Sequence, residues 1–143
     1  IHYRIRKHGY KIRYTPEILS YQYIRPTFKK MLRQKYSNGY WIGLTSHVEH
    51  KCLSIFHFVP LVFVLAIIFS LLMIPVTKLF ILLLSSTYLL FTFIITLMTI
   101  INNKFNITLL LMPILLFLIH ICYGMGTLVG LMKGFEWKKT YYK

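Results

Sequence analysis

The feature that most constrains this chain is where its charges stop. Beyond Lys51, residues 52–77, 79–103 and 105–132 contain no Lys, Arg, Asp or Glu, and single lysines, Lys78 and Lys104, separate the three runs. Each run exceeds the ~20 apolar residues that carry a helix across ~30 Å of hydrocarbon. Three such runs in succession leave little room for a water-soluble fold. The economical expectation is three transmembrane helices, at residues 57–74, 79–101 and 107–131. Pro75-Val76-Thr77-Lys78 reads as the turn after the first span, and residues 102–106 as the turn after the second. Pro60 falls in the first turn of its helix, where a missing N–H costs little. Pro113 either kinks the third helix or marks its start.

Composition closes off other classes. The chain is 57% apolar, and it carries 17 Lys+Arg against 3 Asp+Glu, a formal net charge of +14. That apolar content excludes intrinsic disorder. Two cysteines, Cys52 and Cys122, do not make a disulfide scaffold. There is no aspartate, and Glu17, Glu49 and Glu136 are scattered, so no acid pair is available for acid–base catalysis. The chain starts at Ile1 without a signal-peptide pattern and is expected to lack its beginning. By itself it is expected to catalyse nothing.

Eleven of the basic residues precede the first span, from Arg4 to Lys51, which predicts a cytoplasmic N-terminal segment. Three spans would then leave the C-terminal lysines outside, against the same rule. A re-entrant third segment would return them to the cytoplasm.

The N-terminal part has its own order. Residues 1–8 read as the end of a helix, with Gly9 suited to the position after it. Residues 10–14 and 18–24 read as two strands around a Thr15-Pro16-Glu17 turn. After Arg25-Pro26, Thr27 is placed to cap a helix over residues 27–45. Phe28, Met31, Leu32, Tyr36, Tyr40 and Leu44 recur on one face of that helix, with Lys29, Lys30 and Arg33 largely elsewhere. An aromatic and basic helix just before a span is expected to lie in the membrane interface.

Several motifs are weaker than they look. Gly124-Met125-Gly126 with Gly130 departs from dinucleotide-loop spacing and lacks a strand before it. Gly124, Gly126, Gly130 and Gly134 instead suit close helix packing, inside the molecule rather than between copies. His120, within a span, reads as a structural histidine with a polar partner. His47, His50, His57 and Cys52 match no zinc spacing. Asn106-Ile107-Thr108 fits a glycosylation sequon too close to the membrane to weigh. Lipid head groups are a nearer polyanion than nucleic acid, which is not expected as a partner.

Tyr3-Arg4-Ile5-Arg6-Lys7-His8-Gly9-Tyr10-Lys11-Ile12, followed by Tyr14-Thr15-Pro16, resembles the end of a family 2 glycosyltransferase catalytic domain. Arg25-Pro26-Thr27-Phe28-Lys29-Lys30-Met31-Leu32-Arg33-Gln34, with Tyr36, Gly39, Tyr40 and Trp41, is similar to that family's interface helix. His57-Phe58-Val59-Pro60 and His120 to Gly130 are similar to its membrane segments, nearest to the succinoglycan type of exopolysaccharide synthesis. The resemblance implies residues 1–25 as a short α/β remnant of a GT-A domain, residues 26–51 as the interface helix and residues 52–143 as the membrane region. It further implies transfer of a sugar from a nucleotide-sugar to a lipid-linked or polysaccharide acceptor. The divalent metal and the nucleotide-sugar site would lie upstream of Ile1, with no cofactor held here. Gln34 and Trp41 correspond to the Gln and Trp of the family's active-site motif, separated here by six residues with no Arg before the Trp. Arg25, Gln34, Tyr40 and Trp41 are then candidates to line the acceptor site, and Lys29, Lys30 and Arg33 to contact phosphate. Two rival readings are a small basic membrane adaptor without enzymatic activity, which would bind anionic lipid or a partner helix through its glycine face, and a transporter fragment.

Overall fold

The computed structural model describes residues 2–21, 23, 25–102 and 106–141, and among these there are helices and turns but no strand. The helices are α1 (His2–Lys7), α2 (Phe28–Val48), α3 (Val59–Leu72), α4 (Leu79–Asn102) and α5 (Met112–Tyr141). Short 3-10 turns at His50–Cys52, Ile55–Phe58 and Ile107–Leu111 join them.

Three apolar stretches, Ile55–Leu72, Leu79–Asn102 and Ile107–Thr140, are long and apolar enough to cross a bilayer, the character of a multi-pass membrane protein. They differ in detail from the expected spans. The first is a 14-residue helix entered through a 3-10 turn, with Pro60 at its first positions. The third begins as a 3-10 turn and passes into α5 at Met112, next to Pro113. It then continues beyond the expected end at Leu131 as far as Tyr141.

The two strands expected over residues 10–14 and 18–24 are not formed. The described part of that stretch is irregular backbone with exposed side chains. A strand needs a neighbour to complete its hydrogen bonds, and no other extended segment is described beside it. Gln22 and Ile24 of the second strand, and residues 103–105 of the turn after the second span, lie outside the described residues.

Local signals do set the helix ends. Gly9, at φ +82°, closes α1. The Tyr10 N–H reaches the Ile5 carbonyl at 3.2 Å and the Gly9 N–H the Arg6 carbonyl at 3.1 Å, the paired bonds of a left-handed helix stop. Thr27 Oγ1 accepts from the Lys30 N–H at 3.3 Å and starts α2, which then runs to Val48.

Helix α2 contains two glycines, each costing roughly 1 kcal/mol of helix propensity against Ala. What they allow is proximity. The most extensive contact in the molecule is α2 on α5. Backbone meets backbone there: Gly126 faces the Tyr36 carbonyl, Gly39 the Tyr123 carbonyl, Gly130 the Tyr40 carbonyl and Gly43 the Thr127 carbonyl. Residue numbers rise together along both helices, so α2 and α5 run parallel. In contrast, α3 runs antiparallel to α5: Pro60 lies against Gly124, while Phe63, a turn later, meets Phe117 and His120.

This arrangement brings both flanks of the membrane region to one end of the bundle. Lys7 on α1 pairs with Glu49 at 3.0 Å. Tyr3, Arg4, Thr45, Val48, Glu49, Cys52 and Trp137 line a common pocket of about 220 Å³. The imidazole of His47 packs on Phe135 at 4.5 Å. The chain therefore enters α3 and leaves α5 at the same end. At 30 residues, α5 is about 45 Å long, against ~30 Å of hydrocarbon. The excess carries Lys133, Glu136, Lys138 and Lys139, and only the C-terminal part of α2, through Trp41 and His47, reaches it.

Three threonines of helix α4 bond back to their own helix. Thr92 donates to the Tyr88 carbonyl at 3.1 Å, Thr96 to Thr92 at 2.8 Å and Thr99 to Ile95 at 2.8 Å. Ser85 and Ser86, exposed on the same helix, likewise donate to the Leu82 and Leu83 carbonyls at 3.1 Å, which satisfies their hydroxyls without water.

Candidate functional site

Helix α2 has two working faces. Gly39 and Gly43 define the face against α5. At helical spacing, Lys30, Gln34, Ser37 and Trp41 fall on the opposite one. Together with Arg25, Arg33 and Asn38 they line an open concavity of about 490 Å³. Arg25, Lys30, Arg33, Gln34 and Trp41, all singled out in the sequence, thus share one depression. Ser37 and Asn38 join them, and the sequence reading missed both. Each lies one turn from a residue already singled out, so helical periodicity was the signal that could have found them.

Two other candidates stand apart. Lys29 does not line the concavity. The backbone of Tyr40 supports Gly130, and its ring stands edge-on to Trp41 at 6.3 Å. Trp41 also meets Trp137 on α5 edge-on, at 6.1 Å and 84°. It touches two aromatic rings while staying 52% exposed. Its partner Trp137 carries no local sequence signal.

Three cationic side chains in the concavity can give charge-assisted hydrogen bonds to phosphate oxygens, the arginines in bidentate form. Gln34, Asn38 and Ser37 add neutral donors and acceptors. Trp41 offers a flat apolar surface of the kind a sugar ring stacks on. Among the described residues the lining has no carboxylate, so it offers neither a carboxylate base nor a carboxylate metal ligand.

Its height follows from α5. Tyr36 lies at Gly126 and Pro60 at Gly124, which at ~1.5 Å per residue are about 3 Å apart along the α5 axis. Tyr36, midway along the stretch of α2 that lines the concavity, is therefore level with the entrance to the first apolar helix.

The glycines are occupied inside the molecule. Gly126 and Gly130 face α2, Gly124 faces Pro60 and Val64 of α3, and Gly134 faces the His47 ring. The matching Gly39-x-x-x-Gly43 pair on α2 went unread in the sequence, although its spacing alone carries the signal.

His120 sits among Phe63, Tyr88 and Phe117. Its Nδ1 lies 2.7 Å from the Leu116 carbonyl, which can only accept, so Nδ1 carries a proton there. The Tyr88 hydroxyl is 3.3 Å from the same nitrogen. The histidines near the first span have local tasks. The Ser54 N–H donates to His57 Nδ1 at 3.0 Å, and His47 Nδ1 lies 3.2 Å from the Gly43 carbonyl. The Cys52 thiol donates to the Glu49 carbonyl at 3.0 Å. Among the described residues no three ligand side chains converge on a metal position.

The Lys7–Glu49 ion pair joins the N-terminal helix to this end of the molecule. The Glu49 carboxylate raises the Lys7 ammonium above its usual range, chiefly through their hydrogen bond. Lys7 in turn holds the Glu49 carboxyl below the usual carboxylate range.

Comparison of the chain with protein-family models, curated proteins and solved structures returns no significant match.

Proposed function

We propose that this chain is the membrane-anchoring and acceptor-docking part of a family 2 glycosyltransferase. In this reading the concavity on α2 receives the phosphate and first sugar of a lipid-linked acceptor at the membrane surface. One observation carries it: Arg25, Lys30, Arg33, Gln34 and Trp41 share a single depression level with the start of an apolar helix. A lipid-linked acceptor presents its phosphate at that depth and its sugar just above. Cations for the phosphate and an exposed indole for the sugar meet both needs. Donor nucleotide, metal and catalytic base belong to a separate catalytic domain.

The end that gathers α1, the C-terminus of α2 and the last turns of α5 carries Arg4, Arg6, Lys7, Lys51, Lys133, Lys138 and Lys139. In this reading it faces the cytoplasm of a cell membrane. Three full crossings would leave the two flanks on opposite faces, so this reading needs one of the three apolar stretches to enter the bilayer without crossing it. The partner-helix form of the adaptor alternative relied on free glycines, and α2 and α3 already fill that face.

The test uses the protein in nanodiscs of zwitterionic lipid, with a polyprenyl diphosphate bearing one sugar as probe and native mass spectrometry as readout. Arg33→Ala is expected to weaken binding roughly tenfold or more, the scale of a hydrogen bond to a charged group. Trp41→Ala is expected to weaken the sugar-bearing probe more than the bare diphosphate. In the full-length enzyme, Gln34→Ala and Trp41→Ala should lower transfer without releasing the protein from membranes. Equal displacement of the probe by phosphatidylglycerol would reduce the concavity to plain lipid anchoring.

A further inference from the structure

Helix α4 is tied at both ends to one end of the α3–α5 pair. Pro60 on α3 meets Gly124 on α5, which marks a common level. Leu72, the last residue of α3, and Met112, the first of α5, each lie twelve residues from that contact. Both are therefore about 18 Å from it along their helices, at the end of the pair away from Cys52.

Helix α4 has to start and finish near that end. Its first turn is pinned there, because Phe80 packs on Phe69 at 5.3 Å. If α4 ran straight back along α3, Asn102 would end up about 33 Å from Phe80. The way back to Met112 is too short for that. Five backbone steps from Asn102 to Ile107 reach at most about 18 Å, and the 3-10 turn at Ile107–Leu111 adds about 10 Å. The contacts agree. Thr96, Leu97 and Ile100 share a cavity with Leu110 and Pro113, at the start of the third apolar stretch, and α4 meets that 3-10 turn. Midway, Tyr88 stacks on Phe63 at 4.5 Å, and its hydroxyl is 3.3 Å from His120 Nδ1. A helix about 36 Å long with both ends near one level lies across the axes of α3 and α5.

From this we infer that α4 is an intramembrane helix: it enters the bilayer from the face opposite Cys52, lies across α3 and α5, and returns to the same face without crossing. Its chemistry suits that path. Residues 79–103 carry no charge, and Ser85, Ser86, Thr92, Thr96 and Thr99 bond to carbonyls of their own helix. The helix therefore needs no water along its length. Lys78 before it and Asn106 after it both reach head groups of one face, which a crossing helix would divide between two. The second apolar stretch, not the third, is then the one that does not cross. Helices α3 and α5 cross in opposite directions and leave both flanks on one face. None of this depends on acceptor docking.

The test places single cysteines on the whole chain with Cys52 and Cys122 changed to Ser. Val76→Cys, at an 80% exposed site before α4, and Asn106→Cys, at an exposed site after it, report the two ends. Ile94→Cys, on an exposed part of α4, reports the middle. Labelling by a membrane-impermeant maleimide in sealed vesicles of known orientation is compared with that of Cys52 in the Cys122→Ser protein. Val76→Cys and Asn106→Cys are expected to label from one face, the one opposite Cys52, and Ile94→Cys only after detergent is added. Labelling of positions 76 and 106 from opposite faces would overturn the inference, because α4 would then cross. So would labelling of both from the Cys52 face, labelling of neither before detergent, or labelling of Ile94→Cys in intact vesicles.

Discussion

Replacing Gly39 with Ala tests whether α2 and α5 touch through their backbones. Two effects compete. Helix propensity favours Ala by about 0.8–1.0 kcal/mol. Against it, the new methyl would overlap the Tyr123 carbonyl oxygen and lie 2.9 Å from Thr127 Oγ1. The obstruction at Tyr123 is backbone and cannot rotate away. Overpacking of this kind costs about 1–3 kcal/mol, and a rigid neighbour puts the cost at the upper end. The net expectation is a loss of about 2 kcal/mol, or roughly 6 °C in Tm for a chain of this size. Gly126→Ala, against the Tyr36 carbonyl, should act similarly. Met132→Ala, at a 73% exposed site on α5, serves as the control. The assay is thermal unfolding of the detergent-solubilised protein, followed by circular dichroism. A Tm for Gly39→Ala equal to or above the parent would refute the reasoning, because propensity alone predicts a rise.

Tyr88→Phe should cost no more than about 1 kcal/mol in the same assay, since hydrogen bonds between membrane helices average about 0.6 kcal/mol. His120→Ala should cost clearly more, because it also empties the space among Phe63, Tyr88 and Phe117. The Lys7–Glu49 pair should make attachment of α1 depend on pH. Glu49 titrates below its ordinary value, so its contribution is complete above the unfolded value and fades as pH falls through the lowered one. Lys7 titrates above its ordinary value, so its contribution is complete below the unfolded value and fades as pH rises through the raised one. Emission of Trp137, which lines the pocket with Tyr3 and Arg4, should therefore change at both pH extremes in a Trp41→Phe background and stay flat between them. Glu49→Gln should abolish the acid change.

Much of this fold is written in local sequence. Uncharged runs mark the apolar helices because desolvating a charge in hydrocarbon is costly. Thr27 and Gly9 mark helix ends because each satisfies backbone groups that would otherwise lack partners. The strands at residues 10–14 and 18–24 misled because alternation describes a surface and does not supply a neighbouring strand. Expecting α2 to lie in the interface missed its second face, since Gly39 and Gly43 carry no apolar side chain to register in a hydrophobic pattern. The parallel pairing of α2 with α5, and hence the shared end of the two flanks, depends on contacts such as Gly39 with Tyr123 and Gly43 with Thr127, far apart in sequence. The concavity was half legible: Arg25, Gln34 and Trp41 came from a motif, while Ser37 and Asn38 needed the helix to be placed.

The central point is that α3 and α5 run antiparallel, so the chain enters α3 and leaves α5 at one end of the bundle. That puts both flanks on one membrane face if one of the three apolar stretches does not cross. Cys52 is exposed just before α3. With Cys122 changed to Ser, its labelling by a membrane-impermeant maleimide can be compared with that of Lys139→Cys, made in a Cys52→Ser background, in sealed vesicles of known orientation. Both positions are expected to label from the same side. Labelling from opposite sides would contradict the shared end of α3 and α5.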